Sequence, residues 1–287
     1  MDAAASDFAA APGDEIKIET SIVNRSEYPF KIRKIDFNGL GSGLDPDIIL
    51  ENNHPQSFTS TIRIPADFPV SQPYWLRNPP GKATFSIEEQ TLIGLAENPP
   101  SLSVDITLTA GQNELNYSVP VYYRWIDRAA GQRYRVFEIR PNVTVHMEEK
   151  VKIFTRDESQ EFWMTLTNHT PNAAGTVSLK APAQWQVVPE SIPFKLTRKF
   201  SESKVIFTIF PPKNEDEAVI DAFMNINREK PGRDMVEISY PHIHRQVYFP
   251  RSRLKAIKMN IRHIGAKIGY IMGSGDDVAE CLSNLGY

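Results

Sequence analysis

Two histidines two residues apart, His242 and His244 in YPHIHRQVYF, are the best metal-ligand candidates in this chain. A two-residue spacing on an extended strand sends both imidazoles to the same face, where a third ligand could complete a zinc site. The sequence marks no third ligand. His54, His146, His169 and His263 are scattered, so no metal and no cofactor are expected. Serine chemistry has no motif either: there is no G-x-S-x-G elbow, and no serine is tied by spacing to a histidine and an acid. The turn GSGDD at 273–277 lies between an apolar stretch and a helical pattern, as a phosphate cradle would. Val278 stands where a dinucleotide fingerprint needs its third glycine, and Asp276 and Asp277 would repel phosphate, so a plain turn is expected.

A binding role is better represented. The loop QPYWLRNPPGK is stiffened by its prolines and carries Tyr74, Trp75, Arg77 and Asn78. Aromatic faces stack on pyranose C–H faces while Arg and Asn hydrogen-bond hydroxyls, so these four are the candidate glycan contacts. The competing reading makes Trp75 a staple that holds the loop on its domain. Trp125, Trp163 and Trp185 read as core or interface residues. Four N-x-Ser/Thr triplets, headed by Asn24, Asn116, Asn142 and Asn168, would matter only in a eukaryotic secretory setting.

The elements that must position these residues are strands. Glu15 to Val23 alternates apolar and polar residues, as do Phe58 to Ile64, Leu102 to Leu108 and Tyr117 to Trp125. Phe30 to Phe37 changes phase near Arg33 and Lys34, which predicts a bulge. Ala83 to Ile87 and Leu92 to Leu95 read as short strands. Around Pro141, which cannot donate to a ladder, one strand-rich unit ends and another begins with Val143, Val145 and Met147. Many short strands at close spacing without helical periods predict an all-β chain of two immunoglobulin-like antiparallel β-sandwiches.

The expected layout is a flexible lead-in at 1–12, a first sandwich at 13–140, a second at 141–250 and a basic connector at 251–266. A truncated β-α unit at 267–287 closes it, with a strand at Lys267 to Met272 and a helix at Val278 to Leu285. Asp277 and Glu280 suggest a capping box and Gly286 the helix stop. The helix's apolar face, Val278, Leu282 and Leu285, is expected to pack on the second sandwich or drive self-association.

With 287 residues there is room for about two domains. A formal charge of -3 gives no general pull toward nucleic acid. The single cysteine, Cys281, rules out an intramolecular disulfide. The N-terminal stretch lacks the basic and apolar regions of a signal peptide, and no window is apolar for long enough to span a membrane.

Three runs carry a family resemblance: GDEIKIETSIVNRS, PYWLRNPPGKATFSIEEQTLIG and KIGYIMGSGDDVAECLSNLGY. Together they resemble the region after the catalytic domain in long bacterial PIG-L/LmbE-like deacetylases. Residues 161–212, with TLTNHT, APAQW and FTIFPP, are similar to sandwich modules attached to α-galactosidases. The resemblance implies a non-catalytic accessory or scaffold region of a zinc-dependent N-acetylglucosaminyl deacetylase, periplasmic or extracellular, with the start of a class I glutamine amidotransferase-like domain at its end. Its partners would be the other domains of that parent and a glycan. The family's His-Pro-Asp-Asp motif has no counterpart, since Pro-Gln-Ser follows His54, and the His-x-x-His spacing is not met by His242 and His244. No catalytic residue is carried over, and this chain is not expected to be an enzyme. The alternative is a free-standing carbohydrate-binding or adhesin-like module.

Overall fold

The computed structural model describes residues 1–37, 40, 43–240, 242–261, 267–285 and 287. The chain divides into two compact units: residues 1–142 with 236–248, and residues 143–235 with 249–287.

Unit one holds β1 (Asp2–Ala5), β2 (Ala9–Ala10), β3 (Glu15–Ile22), β4 (Lys31–Asp36), β5 (Ile48–Ile49) and β6 (Gln56–Arg63). It continues with β7 (Ser103–Ala110), β8 (Asn113–Pro120), β9 (Tyr122–Asp127), β10 (Gly131–Val136) and β11 (Glu138–Ile139). One sheet runs β10-β9-β1-β3-β6 and the other β5-β4-β7-β8. Their inner faces meet in a core that includes Ile16, Ile18 and Ile62 from the first sheet and Ile32, Ile35, Val104 and Ile106 from the second. Alternation along each strand produces this arrangement, because every second side chain turns inward. The bulge expected near Arg33 is present: the pairing of β4 with β7 shifts between Ile32 and Lys34.

Unit two holds β12 (Val143–Met147), β13 (Val151–Phe154), β14 (Gln160–Asn168), β15 (Ala173–Lys180) and β16 (Gln186–Val188). β17 (Ile192–Leu196), β18 (Glu202–Phe210), β19 (Asp216–Asn225) and β20 (Glu229–Pro231) follow. Next in the chain come β21 (Val236–Ile238) and β22 (Gln246–Tyr248), a hairpin belonging to unit one, and then β23 (Arg253–Lys258) and α1 (Val278–Asn284). The sheet β12-β14-β18-β16 faces the sheet β13-β23-β19-β15-β17 across a core containing Phe162, Met164, Phe207, Ile220, Leu254 and Ala256. Trp185 is buried there, edge-on to Phe154 at 5.2 Å, and its indole N–H donates to Asp216 Oδ2 at 2.7 Å. The chain is therefore all-β, with two sandwiches of the immunoglobulin kind. The pairings are not purely antiparallel, since β1 with β9, β2 with β11 and β13 with β23 run parallel.

Several expectations are corrected. Residues 1–12 are not a lead-in: β1 lies between β3 and β9, and Ala3, Ala5, Ala9, Ala10 and Ala11 are buried. Their small side chains, read as having nothing to bury, are packed inside, with β1 paired on both sides and β2 with β11. The second sandwich does not reach 250 without interruption, because 236–248 joins unit one. The basic stretch from 251 is a strand rather than a connector, since Leu254 and Ala256 alternate inward and Lys258 pairs with Asp157 at 3.0 Å. Residues 262–266, including His263, lie outside the described residues.

Ala83 to Ile87 and Leu92 to Leu95 are not strands; a short 3-10 turn at Gln90–Leu92 replaces the second. Tyr117 to Trp125 is split between β8 and β9, which belong to different sheets. Lys267 to Met272 forms no strand, and Ile271 and Met272 are exposed. The α1 helix forms, but Asp277 makes no side-chain cap. Asp276 takes the turn instead, accepting from Gly273 N at 2.9 Å and Val278 N at 3.3 Å. The side chain of Glu280 and Gly286 lie outside the described residues.

Candidate functional site

The Pro-rich loop is anchored by Tyr74 rather than by Trp75. A 3-10 turn at Tyr74–Leu76 buries the tyrosine, whose hydroxyl donates to Leu95 O at 3.1 Å and whose backbone N–H donates to Asn98 Oδ1 at 2.8 Å. Asn98 closes the clamp by donating to Gln72 O at 2.6 Å. Trp75 is half-buried, edge-on to Tyr74 at 4.9 Å, Arg77 is exposed, and Asn78 donates to Glu88 Oε1 at 3.1 Å. Tyr74 and Asn78 are thus engaged within the loop itself.

His242 and His244 are not on a strand face. They occupy the turn between β21 and β22, and His244 Nδ1 lies 2.9 Å from Glu97 Oε1. A turn does not impose the alternation on which a shared face depends. Among the described residues no three His, Cys, Asp or Glu side chains gather as metal ligands would. Two of the N-x-Ser/Thr asparagines are structural: Asn24 donates to Leu50 O and Asn168, fully buried, to Thr170 O and Arg198 O.

The residues that do converge lie on the β9–β10 hairpin of unit one. In its register Trp125 faces Arg133 and Tyr123 faces Arg135, so these four share one side of the ribbon. Ala5 of β1 stands beside Tyr123 on that side, which is the side Ile18 and Ala5 turn to the core. Tyr123 and Trp125 continue the inward row, but the hairpin extends beyond the residues that would cover it. Trp125 is 37% exposed and stacked on Tyr123 at 5.8 Å with the rings 19° apart. Both were missed as a site because the sequence marked Trp125 only as a core or interface residue. The signal was the chemistry of the alternating residues: YYRWID and GQRYRV interleave aromatics with arginines, where a covered strand would use aliphatics.

At the inner end of this face an ionic cluster is built on Glu138. Arg135 donates to Glu138 Oε1 from Nε at 3.1 Å and Nη2 at 2.7 Å. Arg140 donates to Oε2 from Nε at 2.9 Å and Nη2 at 2.7 Å. Both guanidinium groups lie over the Phe8 ring, at 4.2 and 5.1 Å from its centre, and Phe8 also meets Tyr123 edge-on at 6.0 Å. Arg140 and Glu138 are buried, and Arg135 is nearly so. Arg245 from the start of β22's approach pairs with Glu237 of β21. Burial, followed by the neighbouring charge of Arg135, pushes the Arg245 guanidinium below its ordinary value.

The fold and this face define a two-sandwich β protein with an uncovered aromatic and arginine surface on its first unit. No family model and no curated protein matches the chain. Among solved structures, the native E. coli alpha-2-macroglobulin is 9% identical, with a TM-score of 0.30, covering 89% of this chain and 17% of that one. WR4, an MSP family member from C. elegans, is 11% identical, with a TM-score of 0.25, covering 40% of this chain and 98% of that one. A protein of unknown function from Porphyromonas gingivalis W83 is 11% identical, with a TM-score of 0.24, covering 90% and 96%. These values carry no functional argument.

Proposed function

We propose that this chain is a non-catalytic accessory module of a carbohydrate-active protein, and that its first unit holds a glycan on the β9–β10 face. The supporting observation is the stacked Tyr123–Trp125 pair, left open on the side that the core row begins and flanked by Arg133 and Arg135. The stacked rings, Trp125 exposed and Tyr123 half-buried, offer pyranose C–H faces an apolar platform, and the exposed Arg133 guanidinium supplies donors for hydroxyls. The parent suggested by the sequence resemblance is a PIG-L/LmbE-like deacetylase acting outside the cytoplasm. In that setting the module would keep the glycan near a catalytic domain, raising its effective concentration there.

Calorimetric titration of the chain with neutral and acidic polysaccharides tests this reading, with Trp125→Ala and Trp75→Ala as paired variants. Saturable heat abolished in Trp125→Ala and kept in Trp75→Ala is the expected result. Loss in Trp75→Ala alone would move the site to Tyr74, Trp75, Arg77 and Asn78. No heat with any saccharide would overturn glycan binding and leave a purely structural spacer.

A further inference from the structure

We infer that the β9–β10 face selects a carboxylated saccharide, a uronic-acid chain, through Arg133, Arg135 and Arg245. This rests on the glycan-binding reading above and names its ligand class. The two rows of the face differ in chemistry: β9 supplies the rings of Tyr123 and Trp125, and β10 supplies the guanidinium groups of Arg133 and Arg135. Cross-strand neighbours of this kind stand about 4.5–5.5 Å apart. A pyranose ring stacked on the β9 row would therefore turn a substituent at its edge toward the β10 row. In a uronate that substituent is a carboxylate.

Among the described residues the arginines of this cluster outnumber the carboxylates paired with them. Arg135, Arg140 and Arg245 meet two carboxylates, Glu138 and Glu237, which leaves one positive charge over. Glu138 is fully used, with one oxygen toward Arg135 and the other toward Arg140. The enclosed Nε of Arg245 has no acceptor among the described residues. Asp127, the acid on the same side of the hairpin, has its Oδ1 turned into its own loop, accepting from Ala129 N at 2.9 Å and Ala130 N at 2.8 Å, and it also lies within electrostatic reach of Arg133. An incompletely compensated, partly desolvated cation at the end of an aromatic row favours an anion that also has an apolar ring. The cations are all arginines, whose planar fork suits a carboxylate better than a lysine ammonium does.

The test measures binding of the full chain to oligogalacturonate and to the same oligosaccharide methyl-esterified, which keeps the rings and removes the charge. The expected result is at least tenfold tighter binding of the free acid. Arg133→Gln and Arg245→Gln should each reduce that ratio severalfold, and Trp125→Ala should weaken both ligands together. Arg133 is exposed, so its variant reports on binding even if Arg245→Gln unfolds the hairpin. Equal affinities for acid and ester would overturn the inference while leaving glycan binding standing. Tighter binding to a sulfated polymer with a steep salt dependence would also overturn it, since that is general polyanion attraction. Absence of binding to every saccharide would remove both readings.

Discussion

Arg140 grips Glu138 with two donors on a single carboxylate oxygen, at 2.9 and 2.7 Å, and both side chains are buried. A buried pair of this kind contributes less to stability than its distances suggest, because desolvation offsets much of the attraction. Its removal is a different matter. Glu138→Gln would leave Arg135 and Arg140 facing a neutral group beside a third arginine, and should cost unit one roughly 3 kcal/mol. Glu237→Gln, on the exposed hairpin, should stay within about 1 kcal/mol. Urea unfolding followed by near-ultraviolet signals checks both, and equal effects would show that burial does not distinguish the two acids.

The clamp on the Pro-rich loop makes a second prediction. Asn98 accepts from Tyr74 N and donates to Gln72 O, so one side chain closes the loop from both directions. Asn98→Ala would leave the buried Tyr74 amide without its acceptor, at about 1–3 kcal/mol for the local closure. Limited proteolysis should then cut within 72–98 well before the rest of the chain. Tyr74→Phe should loosen the same loop by about 1 kcal/mol through loss of the bond to Leu95 O. Resistance unchanged in both variants would place the anchor elsewhere.

Much of the fold was legible because alternation has one physical cause, a face that is covered. The inward rows of β3, β7 and β12 could be read for that reason, and the break at Pro141 from the ladder donor that proline lacks. Alternation does not say what covers a row or where the cover ends. Trp125 therefore read as a core or interface residue, although it is 37% exposed. The alanines of β1 failed in the opposite direction: their side chains carry little apolar signal, yet Ala3 and Ala5 join the core on a strand paired with β3 and β9. The basic residues of β23 hid a central strand, since Arg253, Lys255 and Lys258 ally with Asp221, Glu217 and Asp157 rather than with solvent alone. The ionic cluster was beyond sequence reasoning for another reason. Arg245 lies more than a hundred residues from Glu138, and only the return of the 236–248 hairpin to unit one makes them neighbours.

The tip of the binding hairpin should respond to acid. The amides of Ala130 and Ala129 hold the Asp127 carboxylate below its ordinary 3.8, so the charged form is favoured in the folded hairpin. A depressed folded value means that this contribution is complete above the unfolded value and is lost as pH falls through the folded one. The window therefore lies below about pH 4, and neutral solutions should show no change. Amide exchange at Ala129 and Ala130 should accelerate in Asp127→Ala at neutral pH, mimicking the acid form. Protection that survives the substitution would show that the turn at Gly131, with its φ of 75°, suffices to hold the tip.

In unit two a close backbone approach occurs at Gly175 in β15, between β17 and β19. A Cβ there would clash with Asn225 O and stand 3.1 Å from its carbonyl carbon, both main-chain atoms at the end of β19. A side-chain clash could relax by a rotamer change, but this one requires two paired strands to separate. Gly175→Ala should accordingly destabilise unit two by about 1–3 kcal/mol, although alanine suits an ordinary strand better than glycine. Gly13→Ala would have free space around its Cβ and a φ of 96°, so its cost would come from backbone conformation alone. Calorimetric unfolding separates the cases: Gly175→Ala should lower the transition of unit two, and Gly13→Ala the transition of unit one. If Gly175→Ala leaves unit two unchanged, β15 and β19 must yield locally at Asn225 without losing the pairing from Thr176 to Lys180.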